Sequence, residues 1–263
     1  MLGMYGPALA AWLVRGPLMH EGFADAGLGT HWRTGGRPAS ILALVVVPLC
    51  LAVGAGLALA AHVQHVDPIG NMLALARQSG IKDAPTSLTT GSTNLSALVL
   101  IGAAVLVIAP FVNGIFAFGE EFGWRGYLLP RLYDRIGTWP AIVSVGIVWG
   151  VWHAPLILLD GLNYPTHRWL GLGLTTLFCI AMSAFFAALR LRSNSIWPST
   201  LAHGALNAQA SVVTVLLAPM EGVLNAPIGL LGALPFALAA LVLLRTRPSA
   251  ASFPDLLPRT GLP

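Results

Sequence analysis

Residues 96–130 read SALVLIGAAVLVIAPFVNGIFAFGEEFGWRGYLLP. This stretch joins two texts that a soluble domain keeps apart. From Ser96 to Phe118 there is no Asp, Glu, Lys or Arg. A helix needs about 20 such residues to cross the hydrocarbon layer of a bilayer. Directly after the apolar run comes Glu120-Glu121-Phe122-Gly123-Trp124-Arg125. If the helix continues to Leu129, Glu121 and Arg125 stand four residues apart on one face. Glu120 then points about 100° away, because 3.6 residues make a turn. Arg125 can pair with Glu121 and leave Glu120 free. Taken alone, the group also reads as a solvated ion pair at a membrane interface.

The rest of the chain has the same character. Of its 263 residues, 56% are hydrophobic and 9% charged, and the mean hydropathy is +0.76. A soluble domain carries about 25% charged residues. Such a composition excludes a disulfide scaffold, a disordered chain and a nucleic-acid binder. It points to an all-α fold, a polytopic membrane helical bundle of about six to eight transmembrane helices with a cavity inside. Spans are expected at Ala39 to Ala61, Ser96 to Phe118, Ala141 to Leu159, Trp169 to Leu189, Ile196 to Ala218 and Asn225 to Leu244. A weaker one, Met1 to Met19, contains Pro7, Arg15 and Pro17. Residues 1–247 read as one integral membrane domain and 248–263 as a short disordered tail. Cys50 and Cys179 lie in apolar runs, so neither a disulfide nor a thiolate metal site is expected.

Basic residues set the orientation. With seven spans, one face collects Arg33, Arg37, Arg125, Arg131, Arg135, Arg190, Arg192, Arg245, Arg247 and Arg259. The other collects Arg77, Lys82 and Arg168. The arginine-rich face is expected to be cytoplasmic, with the C-terminus on that side. The Arg-rich, Lys-poor composition fits a bacterial plasma membrane.

Two further spans carry polar residues at depth. His153 lies in Trp149-Gly150-Val151-Trp152-His153-Ala154-Pro155, about 18 Å along a helix from Ala141 at 1.5 Å per residue. An ionisable group there faces the bundle interior. The plainer alternative is a neutral histidine donating to a carbonyl, helped by Pro155, which frees one a turn back. His203 and Asn207 are four residues apart on one helix face. Their plainer reading is interhelical hydrogen-bonding glue.

Together, Glu120-Glu121-x-x-x-Arg125, Trp149-x-x-x-His153 and His203-x-x-x-Asn207 stand in order on three spans. This set resembles the CPBP family of intramembrane proteases, which includes the type II CAAX prenyl endopeptidase and the bacteriocin-immunity and bacteriocin-processing (Abi) proteins. The resemblance covers roughly Phe111 to Ala210, within a protease core of about 96–218. One departure is visible: the family's second motif is usually Phe-x-x-x-His, and Trp149 replaces that Phe. The text from Arg15 to Leu28 is also similar to the segment that precedes the family's first motif.

The resemblance implies an endopeptidase acting on a peptide or membrane-protein substrate, in the cytoplasmic half of the membrane. It implies that Glu120, assisted by His153, activates water and that His203 and Asn207 hold the oxyanion. Glu121 and Arg125 complete the site. No metal is required on this reading; a zinc version would use Glu120, His153 and His203 as ligands. Two other classes share the sequence: a non-catalytic membrane immunity or scaffold protein, and an ion- or proton-coupled transporter.

Overall fold

The computed structural model describes residues 2–78 and 100–246. Nine helices occupy this part. They are α1 (Gly6–Leu13), α2 (Arg37–Ala60), α3 (Pro68–Gln78), α4 (Leu100–Ile136), α5 (Thr138–Trp152), α6 (Ala154–Leu158), α7 (Arg168–Ser193), α8 (Trp197–Leu216) and α9 (Leu230–Arg245). A two-residue antiparallel pair, His65–Val66 against Leu217–Ala218, ties the turn after α2 to the end of α8. The fold is the expected all-α bundle. Among the described residues three helices are long and apolar enough to cross a membrane: Trp32–Ala60, Leu100–Ile136 and Arg168–Ser193. α5 and α9 are apolar but shorter. The beginning of the second expected span, the cap region at Gly91-Ser92-Thr93-Asn94 and the 248–263 tail fall outside the described residues.

α7 is the central post, with Phe178, Met182, Phe185, Phe186 and Leu189 all buried. α5, α8 and α9 pack around it, and α2 fills the gap between α8 and α9. Large apolar side chains point outward along one stripe of α2, at Ile41, Val45, Leu49 and Val53. α4 does the same at Phe111, Val112 and Ile115. Continuous apolar exposure of this extent fits lipid contact, since soluble monomers rarely show it.

Two contacts between small residues bring the helices that carry polar motifs together. A Cβ at Gly150 would sit 2.5 Å from the Thr176 Cα, so α5 lies nearly backbone to backbone against α7. A Cβ at Gly204 would sit 2.6 Å from the Gly114 nitrogen, so α8 lies equally close to α4.

Prolines shape the other local features. α4 widens into a π turn at Ala104–Ile108, just before Pro110, and again at Trp124–Leu128, just before Pro130. A proline lacks the N–H that the carbonyl four residues back needs, and its ring crowds that carbonyl; one extra residue in the turn relieves both. The expected span from Ala141 to Leu159 is not one helix. α5 ends at Trp152, His153 caps it, and α6 restarts at Ala154. The cause is Pro155, which removes a helix N–H and crowds the carbonyl of Val151.

Candidate active site

The π turn of α4 sits at the polar motif. Glu120, Glu121 and Arg125 are all buried, Glu121 and Arg125 completely. The four-residue spacing makes the expected ion pair: Arg125 Nη1 lies 2.8 Å from Glu121 Oε1. The same oxygen lies 2.9 Å from His203 Nδ1 on α8. A carboxylate oxygen only accepts, so Nδ1 carries the proton in this bond. The Arg125 guanidinium is sandwiched between aromatic faces, 4.7 Å from the Trp149 ring centroid and 4.8 Å from that of Phe186. Such stacking holds a cation where water cannot solvate it. His203 closes the group, edge-on to Trp149 at 5.1 Å and beside Phe186 at 5.7 Å.

Glu120 is not free. Its Oε2 accepts the indole N–H of Trp149 at 2.5 Å and that of Trp124 at 3.3 Å. The second bond was legible, because Trp124 stands four residues after Glu120. The first was not: Trp149 read as an apolar ring replacing Phe, and its N–H matters only because α5 lies against α4. Phe186 also escaped the sequence, since no motif marks it.

His153 follows from the helix break. Its backbone N–H bonds to Gly150 O, three residues back. That leaves the Trp149 carbonyl available, and His153 Nδ1 takes it at 2.8 Å. A carbonyl only accepts, so Nδ1 donates and Nε2 keeps its lone pair in the neutral ring. The ring centroids of His153 and Trp149 are 6.1 Å apart. Trp149 thus touches both Glu120, through its indole, and His153, through its carbonyl. Asn207 lies one turn beyond His203, half-buried, and its amide has no hydrogen-bond partner among the described residues.

The structure therefore bonds Glu120 to the Trp149 indole and Glu121 to Arg125 and His203, in two adjoining networks that share the Trp149 ring, and holds His153 on the Trp149 carbonyl with no direct bond to Glu120 among the described residues. Among the described residues no three His, Cys, Asp or Glu side chains converge closely enough to hold a metal ion. Glu120, His153 and His203 form no such group.

The class is thus a polytopic helical membrane protein with a buried carboxylate, histidine and guanidinium centre drawn from three helices. The family model described as Type II CAAX prenyl endopeptidase Rce1-like matches residues 95–209, the stretch holding every motif residue above. Over that stretch the match supports the resemblance to the CPBP family. A curated relative, CAAX prenyl protease 2 of Methanococcus maripaludis, is 44% identical over 41 residues. That match spans 16% of this chain and 15% of the relative.

Proposed function

We propose that the chain is an intramembrane endopeptidase in which Glu120 activates water for attack on a peptide carbonyl. The observation that supports this best is the division of labour between the two carboxylates. Glu121 is sealed off: Arg125 and His203 both take its Oε1, and its Oε2 is shut away from any partner or solvent, whereas Glu120 is slightly exposed and takes both its donors on Oε2. The other oxygen of Glu120 is left to accept a proton from water.

The steps follow from the residues. Water attacks the carbonyl carbon as its proton passes to Glu120. The bare Nε2 of His153 orients or shares that proton. The oxyanion needs donors aimed at it in a dry site. When its ring is protonated, His203 carries a second N–H on Nε2, with Nδ1–H fixed on Glu121, and the Asn207 amide supplies another donor. Glu120 then returns its proton to the amine as the C–N bond breaks. Arg125 keeps the second carboxylate paired and so holds His203 in place.

The substrate on this reading is a peptide at the membrane, reached in the cytoplasmic half, a side that the arginine-rich face supports for the motif end of α4. The name CAAX prenyl protease 2 makes a prenylated CAAX peptide, carrying a farnesyl group as one such chain, the first probe. The test is a Glu120→Gln variant in native membranes, cross-linked and analysed by mass spectrometry. It should retain uncleaved membrane peptides that wild type releases as two fragments. Identical fragments from wild type and variant would reject the role of Glu120.

A further inference from the structure

A buried cluster that joins Arg15 and Asp25, ahead of the matched stretch, to Arg190 within it grips the active-site turn. In the π turn the N–H of Leu129 bonds to Trp124 O. Pro130 has no N–H to give. The carbonyls of Arg125 and Gly126 therefore lose their usual helix donors, and buried carbonyls are rarely left without one. Two arginines replace them. Arg15 Nη2 lies 3.0 Å from Gly126 O, and Arg190 Nε lies 3.4 Å from Arg125 O. Both arginines are fully buried.

Asp25 anchors both. Its carboxylate takes Arg15 in a two-pronged pair, at 2.6 and 2.9 Å, and its backbone carbonyl accepts Arg190 Nη2 at 3.0 Å. Arg15 Nη1 also donates to Gly22 O at 2.6 Å. Gly27, at φ +72°, lets the chain pass over the Arg190 guanidinium; a Cβ there would lie 2.6 Å from its Cζ. Arg190 is four residues from Phe186 on α7, the ring that stacks on Arg125. One face of α7 thus holds Arg125 at both its side chain and its carbonyl.

We propose that Arg15, Asp25 and Arg190 are positioning residues that fix the Arg125–Gly126 backbone, and through Arg125 the Glu121–His203 pair. This rests on the proteolytic reading of the site. The family match begins at residue 95, so it assigns nothing to Arg15 or Asp25. The clamp makes the N-terminal segment part of the machinery without touching substrate. Misplacing a reacting group by about 1 Å costs on the order of 100-fold in rate. A displaced Arg125 should therefore slow turnover and leave substrate binding alone.

The experiment compares the full chain with Asp25→Asn and Gly27→Ala, which disturb the clamp from two directions. The probe is a fluorescence-quenched farnesylated CAAX peptide in proteoliposomes, assayed well below each variant's melting temperature. kcat per folded protein should fall about 10- to 100-fold with KM unchanged. Arg15→Lys, which keeps the charge but not the fork, should fall between these variants and wild type. Amide exchange in fragments covering residues 124–131 should speed up in all three. Lower melting temperatures with unchanged kcat would make the clamp purely stabilising and overturn the proposal. If wild type cleaves nothing, the proteolytic reading fails separately. Exchange then decides the clamp: unchanged rates at 124–131 would reject it.

Discussion

Arg125→Ala tests whether the ion pair holds the site together. Arg125 and Glu121 are fully buried and 2.8 Å apart, so the truncation leaves a carboxylate in the core with only His203 beside it. Removing one partner of a buried pair costs about 3–5 kcal/mol. The lost stacking on Trp149 and Phe186 adds about 0.5–2 kcal/mol for each ring. A total of about 4–9 kcal/mol is a large share of a stability of about 5–15 kcal/mol. At about 2–4 °C per kcal/mol for a chain of this size, the melting temperature should fall by roughly 10–35 °C. Fluorescence-monitored unfolding in detergent reads this, with size exclusion confirming that the variant inserts and folds. Arg125→Lys keeps the charge but cannot lie flat between two rings, and should lose about half as much. A melting temperature within about 2 °C of wild type for Arg125→Ala would refute this reasoning. It would mean that the pair contributes nothing to stability, and loss of cleavage alone would then assign Arg125 a direct role toward substrate.

Trp149→Phe keeps a ring on Arg125 and His203 but removes the donor 2.5 Å from Glu120. A hydrogen bond to a charged group contributes about 1.5–3 kcal/mol, so kcat/KM should fall about 10- to 150-fold. Trp124→Phe, losing only the 3.3 Å bond, should fall much less, and equal losses would remove the distinction. Glu221 gives a pH test away from the site. Burial pushes its carboxyl up, but the N–H groups of Thr166 and His167 outweigh this and hold it below its ordinary value. Because the folded value is the lower one, its contribution is present above the unfolded value and lost as pH falls through the folded one. The difference in melting temperature between wild type and Glu221→Gln should be largest near neutrality and vanish in acid; a difference that persisted or grew in acid would contradict it.

The parts of the site that rest on spacing within one helix were legible. Glu121 and Arg125 pair, and His203 and Asn207 share a helix, because residues four apart meet on any helix. The break at His153 was latent in Pro155, whose missing N–H the hydrophobic run concealed. What spacing could not say is which carboxylate faces which helix. His203 meets Glu121 rather than Glu120, a matter of how α8 is rotated against α4 through Gly204 and Gly114. Trp149 shows the same limit. Its family counterpart is Phe, so only its ring was read, while its N–H found an acceptor on another helix. Arg15 looked like a charge spoiling a weak span. Its partner Asp25 lies ten residues on, across an irregular segment whose path the sequence does not declare.

The central claim is that Glu120 does the chemistry. It is tested most directly by initial rates of cleavage of the quenched farnesylated CAAX peptide, with wild type and Glu120→Gln reconstituted side by side. Glutamine keeps the shape and still accepts both indole N–H groups, so the variant should fold, melt near wild type and bind the peptide. Loss of a general base costs about 10²- to 10⁴-fold, and cleavage should fall by that much. A Glu120→Gln variant that cleaves at the wild-type rate would contradict the account.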